Sequence, residues 1–96
     1  MKTLPEVTDI LINHKKRLFA RYPLKSMAVF GSYARNEQKE GSDVDILVEF
    51  NDRIGIQFID LAEEIENLLG VKVDVVSRNA VKPGYLKSIE SDLKYV

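Results

Sequence analysis

Apolar side chains recur at helical spacing in the first part of the chain, which predicts an N-terminal helix that ends by about residue 22. Thr3 and Glu6 have the spacing of a capping box, and Pro5 fits the first helical turn. The apolar positions that share one face of this helix are Val7, Ile10, Leu11, Leu18 and Phe19. The single histidine, His14, lies on or near that face, and we interpret it as a structural or surface residue rather than a base.

Beyond this helix, short apolar runs of high β-propensity are interspersed with two further helical patterns. Strands are predicted at 26–30, 44–50 and 71–76, a polar loop at 36–42, and helices at 55–69 and 85–90. Gly70 is a natural helix stop. The order predicts an α/β (α+β) protein, with a small mixed sheet of three or four strands packed against two to four helices, in one domain spanning 1–96.

Composition narrows the possible chemistry. The 96 residues contain no cysteine, which excludes a disulfide framework, a thiolate zinc site and a cysteine nucleophile. Because 14 Lys+Arg residues face 15 Asp+Glu residues, a broad surface for nucleic acid is not expected. The chain shows neither the apolar run of a signal peptide nor one that could span a membrane, so the expected compartment is the cytoplasm.

Two of the predicted strands carry aspartates that alternate with apolar residues. Side chains two apart on a strand share a face, so Asp43 and Asp45 project together, and Asp74 points away from the valines of the third strand. If these strands are neighbours, three carboxylates converge, which is the all-oxygen setting that Mg²⁺ prefers. The alternative is that the acids only make an exposed face soluble. We expect Asp74 in a core strand, where burying a lone carboxylate is costly, and this favours a function.

A glycine–serine turn follows the first strand directly. Gly31 allows a ligand to approach the backbone closely, while the Ser32 hydroxyl and the Arg35 guanidinium are groups that hold phosphate oxygens. The chain has neither a Walker A lysine pattern nor a Gly-x-Gly-x-x-Gly motif, which argues against an ordinary P-loop or Rossmann site. Combined with the three aspartates, the turn indicates a protein that handles phosphoryl groups.

The segments 30–35 (FGSYAR) and 42–48 (SDVDILV) resemble the signature of the minimal nucleotidyltransferases, which belong to the polymerase-β-like nucleotidyltransferase superfamily. The segments 24–26, 70–76 and 93–96 are also similar to the layout of the family, so the resemblance covers nearly the whole chain. One position departs from the pattern, because Asn36 stands where the family usually has glycine. Asparagine tolerates the left-handed conformation, so we expect the turn to survive.

The resemblance implies a role for each matching residue. Gly31 and Ser32 would bind the phosphates of a nucleotide, Asp43 and Asp45 would ligate Mg²⁺, with two ions expected, and Asp74 would share a metal and assist the acceptor. Family members of this size are commonly antitoxins of HEPN-domain toxins in type VII-like pairs. Some of them silence the toxin by transferring AMP from ATP to a tyrosine of the toxin.

Two alternatives to this function stay open at the level of sequence. The first is a non-catalytic binding module of the same fold, which would neutralise its partner by direct contact. The second is a structural domain that needs no metal and whose acids only keep it soluble.

Overall fold

The computed structural model describes residues 2–96, and within them the chain alternates helices and strands. The elements in chain order are α1 (Leu4–Arg21), β1 (Leu24–Phe30), α2 (Gly31–Ala34), β2 (Val44–Phe50), α3 (Gln57–Leu69), β3 (Val73–Ser77), α4 (Pro83–Ile89), a 3₁₀ turn (Glu90–Asp92) and β4 (Lys94–Tyr95). The five longer predicted elements after α1 lie where the pattern predicts them, with shifted ends. The short elements α2 and β4 are not predicted as separate elements.

The four strands form one mixed sheet in the order β3-β2-β1-β4. Strand β1 pairs antiparallel with both β2 and β4, whereas β2 and β3 run parallel. A parallel pair requires a long crossover connection, and α3 provides it. The predicted mixed α+β architecture is therefore confirmed.

One face of the sheet is covered by α1 and α3 and forms the main hydrophobic core. Side chains at alternate strand positions point into it, together with one stripe from each helix. Fully buried members of this core are Val7, Leu11, Leu18, Met27, Val29, Val44, Ile46, Val48, Leu61 and Ile65. The opposite face buries Ala28, Phe30 and Leu47, which lie outside that cluster. The aspartates of β2 and β3 belong to this second face.

The contacts at the helix ends, and the position of His14, agree with the predictions from the sequence. The Thr3 amide donates to the Glu6 carboxylate at 2.9 Å, and the Glu6 amide donates to the Thr3 hydroxyl at 3.3 Å, which completes the capping box. Gly70 ends α3 in the left-handed conformation, with φ 69°. His14 places Nδ1 2.8 Å from the carbonyl oxygen of Ile10 in its own helix, which agrees with a structural role.

The expectation that Asp74 lies buried in a core strand is wrong. Strand β3 is at the edge of the sheet, and the Asp74 side chain is exposed. The valines that alternate with it do pack against the core, so the predicted face is correct and only the predicted depth is not. No helix within residues 2–96 has both the length and the apolar character needed to cross a membrane.

Candidate active site

The three predicted acids meet at one end of two adjacent strands. Asp45 lies directly opposite Asp74 in the parallel register of β2 and β3. Asp43 immediately precedes β2, where the Val44 amide donates to the carbonyl of Lys72 at 2.9 Å. Asp43 and Asp74 are exposed and Asp45 is half-buried. The structure thus brings together the three carboxylates that the sequence singles out.

The loop before β2 is closed by a serine. The Ser42 hydroxyl accepts a hydrogen bond from the Lys39 amide at 3.0 Å, and the Ser42 amide donates to the Lys39 carbonyl at 2.9 Å. This closed turn fixes the direction in which the chain enters β2. It therefore determines where Asp43 stands relative to Asp45, although the sequence pattern assigns Ser42 no role beyond the family motif.

Gly31 lies against the side chain of Asp45. Its φ of +74° is in the left-handed region that favours glycine, and a Cβ at this position would overlap Asp45 Oδ2 and approach Cγ to 3.0 Å. Phe30, the residue before it, is the register partner of Asp45 across β1 and β2. The glycine therefore lets the backbone of the predicted phosphate turn come into direct contact with a predicted metal ligand.

The four-residue helix α2 holds the turn in place. Tyr33 and Ala34 are buried in the main core, whereas Gly31 and Ser32 stay half-exposed. The Glu37 amide donates to the Ser32 carbonyl at 2.8 Å, closing the turn after the helix. The core thus anchors one side of α2 and presents the other side to the acids.

The turn after α2 contains the position where the sequence departs from the family pattern. Asn36 has φ 57°, and within residues 2–96 it is the one non-glycine residue in the left-handed region. The expectation that asparagine preserves this turn is confirmed. The substitution of the usual glycine leaves the backbone conformation in place.

Arg35 is predicted to contact phosphate, and the structure pairs it with carboxylates of its own chain. Its Nε lies 2.8 Å from Glu37 Oε1, and its Nη1 lies 2.8 Å from Asp92 Oδ2. These hydrogen bonds, to Glu37 first and then to Asp92, raise the pKa of the Arg35 guanidinium above its ordinary value. The phosphate role stays a prediction, and in this structure the guanidinium ties the turn to the 3₁₀ segment near the C-terminus.

The acids repel one another. Partial burial raises the pKa of the Asp45 carboxyl above its ordinary value, and the negative charges of Asp74 and Asp43 raise that pKa further. The Arg35 guanidinium lowers the same pKa and only partly offsets the effect. An added cation would relieve the repulsion, so charge and donor chemistry fit a hard divalent ion held by oxygens.

The side chains of the three aspartates do not form a preorganised metal-binding site. Across the part of the chain that the structure describes, no three histidine, aspartate or glutamate side chains stand in a group that could hold a metal ion. The three aspartates are neighbours on open strand ends, so their side chains would have to turn toward a common ion. Exposure of Asp43 and Asp74 leaves room for that rotation.

Sequence reasoning missed one residue of the site. Tyr85, in the first turns of α4, packs its ring edge-on against Phe30, with 6.4 Å between the ring centroids. Partial burial raises the pKa of its phenol, and the charges of Asp45 and then Asp74 add to that effect. Tyr85 begins the terminal helix predicted at 85–90, and nothing in the local sequence shows that this helix folds back beside the acids.

Comparison with known proteins gives close relatives over the whole chain. The family model described as Nucleotidyltransferase domain matches residues 11–96. A Methanocaldococcus jannaschii protein, provisionally named a protein adenylyltransferase, is 54% identical over 98 residues and covers 100% of both chains. Protein adenylyltransferase MntA of Thermococcus cleftensis is 45% identical, over 100% of this chain and 98% of the relative.

Solved structures share the fold. One that is provisionally named a minimal nucleotidyltransferase aligns with a TM-score of 0.75 and 31% identity, over 97% of this chain and 95% of that chain. A complex of a tri-AMPylated Shewanella oneidensis HEPN toxin with its MNT antitoxin aligns with a TM-score of 0.64 and 23% identity, over 90% of this chain and 70% of that chain. At that identity the second likeness concerns the fold alone.

A mixed sheet that carries three aspartates beside a glycine–serine turn defines a minimal nucleotidyltransferase, and the resemblance drawn from the sequence motifs is confirmed. The chain belongs to the nucleotidyltransferase domain family, whose model spans most of its length. The roles of Gly31, Ser32, Arg35 and the three aspartates stay predictions, now with a geometry attached to each.

Proposed function

We propose that this protein is a protein adenylyltransferase that transfers AMP from ATP to a hydroxyl group of a HEPN-domain toxin and so acts as the antitoxin. The observation that carries the proposal is the in-register pair Asp45 and Asp74, with Asp43 beside it and Gly31 in contact with Asp45. Relatives named as protein adenylyltransferases match the chain from end to end, which supports the reaction class.

In the proposed reaction an acceptor oxygen attacks the α-phosphorus of ATP. The new oxygen–phosphorus bond forms as the bond to the β-phosphate oxygen breaks, so pyrophosphate leaves and the acceptor loses its proton. Asp43 and Asp45 would hold Mg²⁺, which when bound offsets the negative charge of the phosphates. Asp74 stands at the exposed edge, where an acceptor from another protein can reach it, and would take up the acceptor proton.

Gly31 and Ser32 would contact the phosphates of ATP. Gly31 has no side chain between its backbone and the Asp45 carboxylate, so a phosphate bound at the turn would lie next to a metal ion held by Asp45. Arg35 would contribute only by exchanging one of its carboxylate partners for a phosphate oxygen. A tyrosine is the expected acceptor because of the family resemblance, and the AMPylated HEPN toxin in the structurally similar complex is consistent with a protein acceptor.

The proposal is tested by incubating the protein with α-labelled ATP, MgCl₂ and a co-expressed HEPN-domain toxin. We expect label on the toxin, and at least about a 100-fold slower transfer with Asp45→Asn because one ligand of the Mg²⁺ that would offset the phosphate charge is lost. Asp52→Asn is the matched control, since Asp52 is an exposed aspartate beyond the far end of β2. It should transfer at the wild-type rate.

Two outcomes would contradict the proposal. Wild-type transfer by Asp45→Asn would remove the aspartates from the reaction. A tight complex with the toxin, without label transfer by the wild type, would favour the non-catalytic binding module, which fits the absence of a preformed metal cage among residues 2–96.

A further inference from the structure

The structure offers a candidate acceptor within the chain itself. Of the four tyrosines, Tyr22 and Tyr33 are buried in the main core. Tyr95 is 56% exposed on β4, and its hydroxyl accepts a hydrogen bond from Arg78 at 3.4 Å. Tyr85 is 41% exposed, and its ring contacts Phe30, the register partner of Asp45.

Tyr85 contacts the end of a row of paired residues that runs across three strands of the sheet. Its ring contacts Phe30 edge-on, Phe30 pairs with Asp45, and Asp45 pairs with Asp74. Residues paired across adjacent strands project to the same face. The phenol therefore lies on the same face of the sheet as the two aspartates.

The segment that carries Tyr85 is held at both ends. The Tyr85 amide donates to the Lys82 carbonyl at 3.0 Å, and the Ser88 hydroxyl donates to the Tyr85 carbonyl at 2.6 Å. At the far end of the segment, Asp92 binds Arg35 at 2.8 Å. These contacts hold the backbone that carries Tyr85, and the edge-on contact with Phe30 restrains its ring, which lowers the entropy that a reaction with the site would otherwise have to overcome.

We infer that Tyr85 is a self-modification site, which accepts AMP from ATP bound in its own chain. The inference rests on the proposed adenylyltransferase function. The phenolic oxygen would form a bond to the α-phosphorus, pyrophosphate would leave, and the phenolic proton would pass to Asp74 or to solvent. The product, an AMP ester of Tyr85, would stay beside the acids and occupy the place of an acceptor from another protein.

The test uses the purified full chain with ATP and MgCl₂ and without any toxin. Intact mass should increase by one AMP group per chain, and peptide mapping should place that group on Tyr85. The fraction modified per unit time should not change when the protein is diluted, because the donor and the acceptor belong to one chain. Tyr85→Phe keeps the ring that packs on Phe30 and should gain no AMP, whereas Tyr95→Phe should be modified as in the wild type.

Failure of this inference is distinguishable from failure of the proposed function. If the wild type labels the toxin but gains no AMP itself, or gains it on another residue, self-modification of Tyr85 is overturned and the adenylyltransferase stands. A rate that rises with protein concentration would overturn transfer within one chain. If neither the toxin nor Tyr85 is labelled, both proposals fall. Peptide mapping of the wild-type protein distinguishes these outcomes even if Tyr85→Phe does not fold.

Discussion

Gly31 and Asp45 are the pair of residues on which the geometry of the site depends most. The glycine has a left-handed backbone, and its missing side chain is what leaves room for the Asp45 carboxylate. Either feature alone would favour glycine. Because both occur at one position, a second glycine that has only the positive φ is needed to separate strain in the backbone from displacement of a predicted metal ligand.

Gly31→Ala should lower the free energy of unfolding by about 1–2 kcal/mol, since alanine is strained at positive φ. It should also slow AMP transfer by about 100-fold, because the new methyl group pushes Asp45 from its position. Thermal melting and the toxin-labelling assay measure the two effects on the same preparation.

The matched control for that variant is Gly41→Ala. Gly41 also has a positive φ, +87°, but no atom lies within 4 Å of an added Cβ. It should lose similar stability and keep its transfer rate. Equal loss of transfer in the two variants would show that backbone strain, not the contact with Asp45, limits the activity.

Asp45→Asn should stabilise the metal-free protein at neutral pH. Since the pKa of Asp45 is raised in the folded state above its ordinary value of 3.8, the folded state binds more protons than the unfolded state between those two values, and its stability falls as pH rises through them. The free-energy cost of ionising Asp45 in the folded protein is therefore present at neutral pH and absent below pH 3.8, where the carboxyl is protonated in both states. Asparagine carries no charge at either pH, so the Asp45→Asn variant does not have this cost.

Denaturant unfolding in the presence of a chelator, at neutral pH and at about pH 3, tests this expectation. The stability gained by the variant at neutral pH should shrink at low pH. Glu49→Gln provides the contrast, because Glu49 lies on the same face of β2 but pairs with Lys25 and Arg78, each at 3.8 Å. It should not stabilise the protein, and an Asp45→Asn variant less stable than wild type would contradict the electrostatic argument.

At the scale of elements, α4 and the 3₁₀ turn form a segment that lies over the functional face and is tied down by Asp92. Asp92→Ala removes the ion pair with Arg35 and should increase hydrogen exchange in residues 85–92 while the sheet stays protected. The loss of global stability should be below about 1 kcal/mol, because the pair is partly exposed.

Glu37→Ala is the control for the segment. Glu37 also binds Arg35 at 2.8 Å, but it lies two residues away in the same turn and does not reach α4. Exchange in the C-terminal segment should therefore stay at the wild-type level. Faster exchange there in both variants would mean that the segment depends on both carboxylates that position the Arg35 guanidinium, and not on the contact with Asp92 alone.

Elements whose signals are local could be predicted from the sequence. The capping box at Thr3, the alternation in Val44–Phe50 and the stop at Gly70 each depend on neighbours within a few residues, and each is where it is expected. The convergence of the three aspartates is also predicted, on the condition that β2 and β3 are neighbours.

What the sequence could not provide depends on contacts between distant segments. The two-residue strand β4 exists because it pairs with β1, and Asp74 is exposed because no strand covers β3. The partner of Arg35, Asp92, is 57 residues away. Tyr85 reaches the site only because α4 folds back, and such long-range placement leaves no periodicity to recognise.

At the scale of the whole molecule, the hydrophobic core and the predicted active site lie on opposite faces of the sheet. One face packs on α1 and α3, and the other carries the acids. A ligand on the second face that binds only the folded state should therefore raise stability without repacking the core. At 100 times its dissociation constant, Mg²⁺–ATP should add about 2.7 kcal/mol, or roughly 11–22 °C in melting temperature.

Thermal melting of the wild type, Asp43→Asn and Asp52→Asn with and without Mg²⁺–ATP checks this prediction. The shift should be present in the wild type and in Asp52→Asn and should be much smaller in Asp43→Asn. No shift in the wild type at millimolar ligand would favour a structural domain whose acids serve only solubility.

The edge position of β3 has a second consequence, for self-association. An exposed edge strand can add a strand from another molecule, and charged side chains on the edge oppose this. The Val73 amide is already used by Glu66 at 3.2 Å, and Asp74 places a charge within the strand. Asp74, which is predicted to take part in AMP transfer, therefore also opposes aggregation through the edge of the sheet. Replacement of Asp74 by valine would make the edge of β3 apolar and promote aggregation. The residue at this position is therefore limited by the solubility of the protein as well as by AMP transfer.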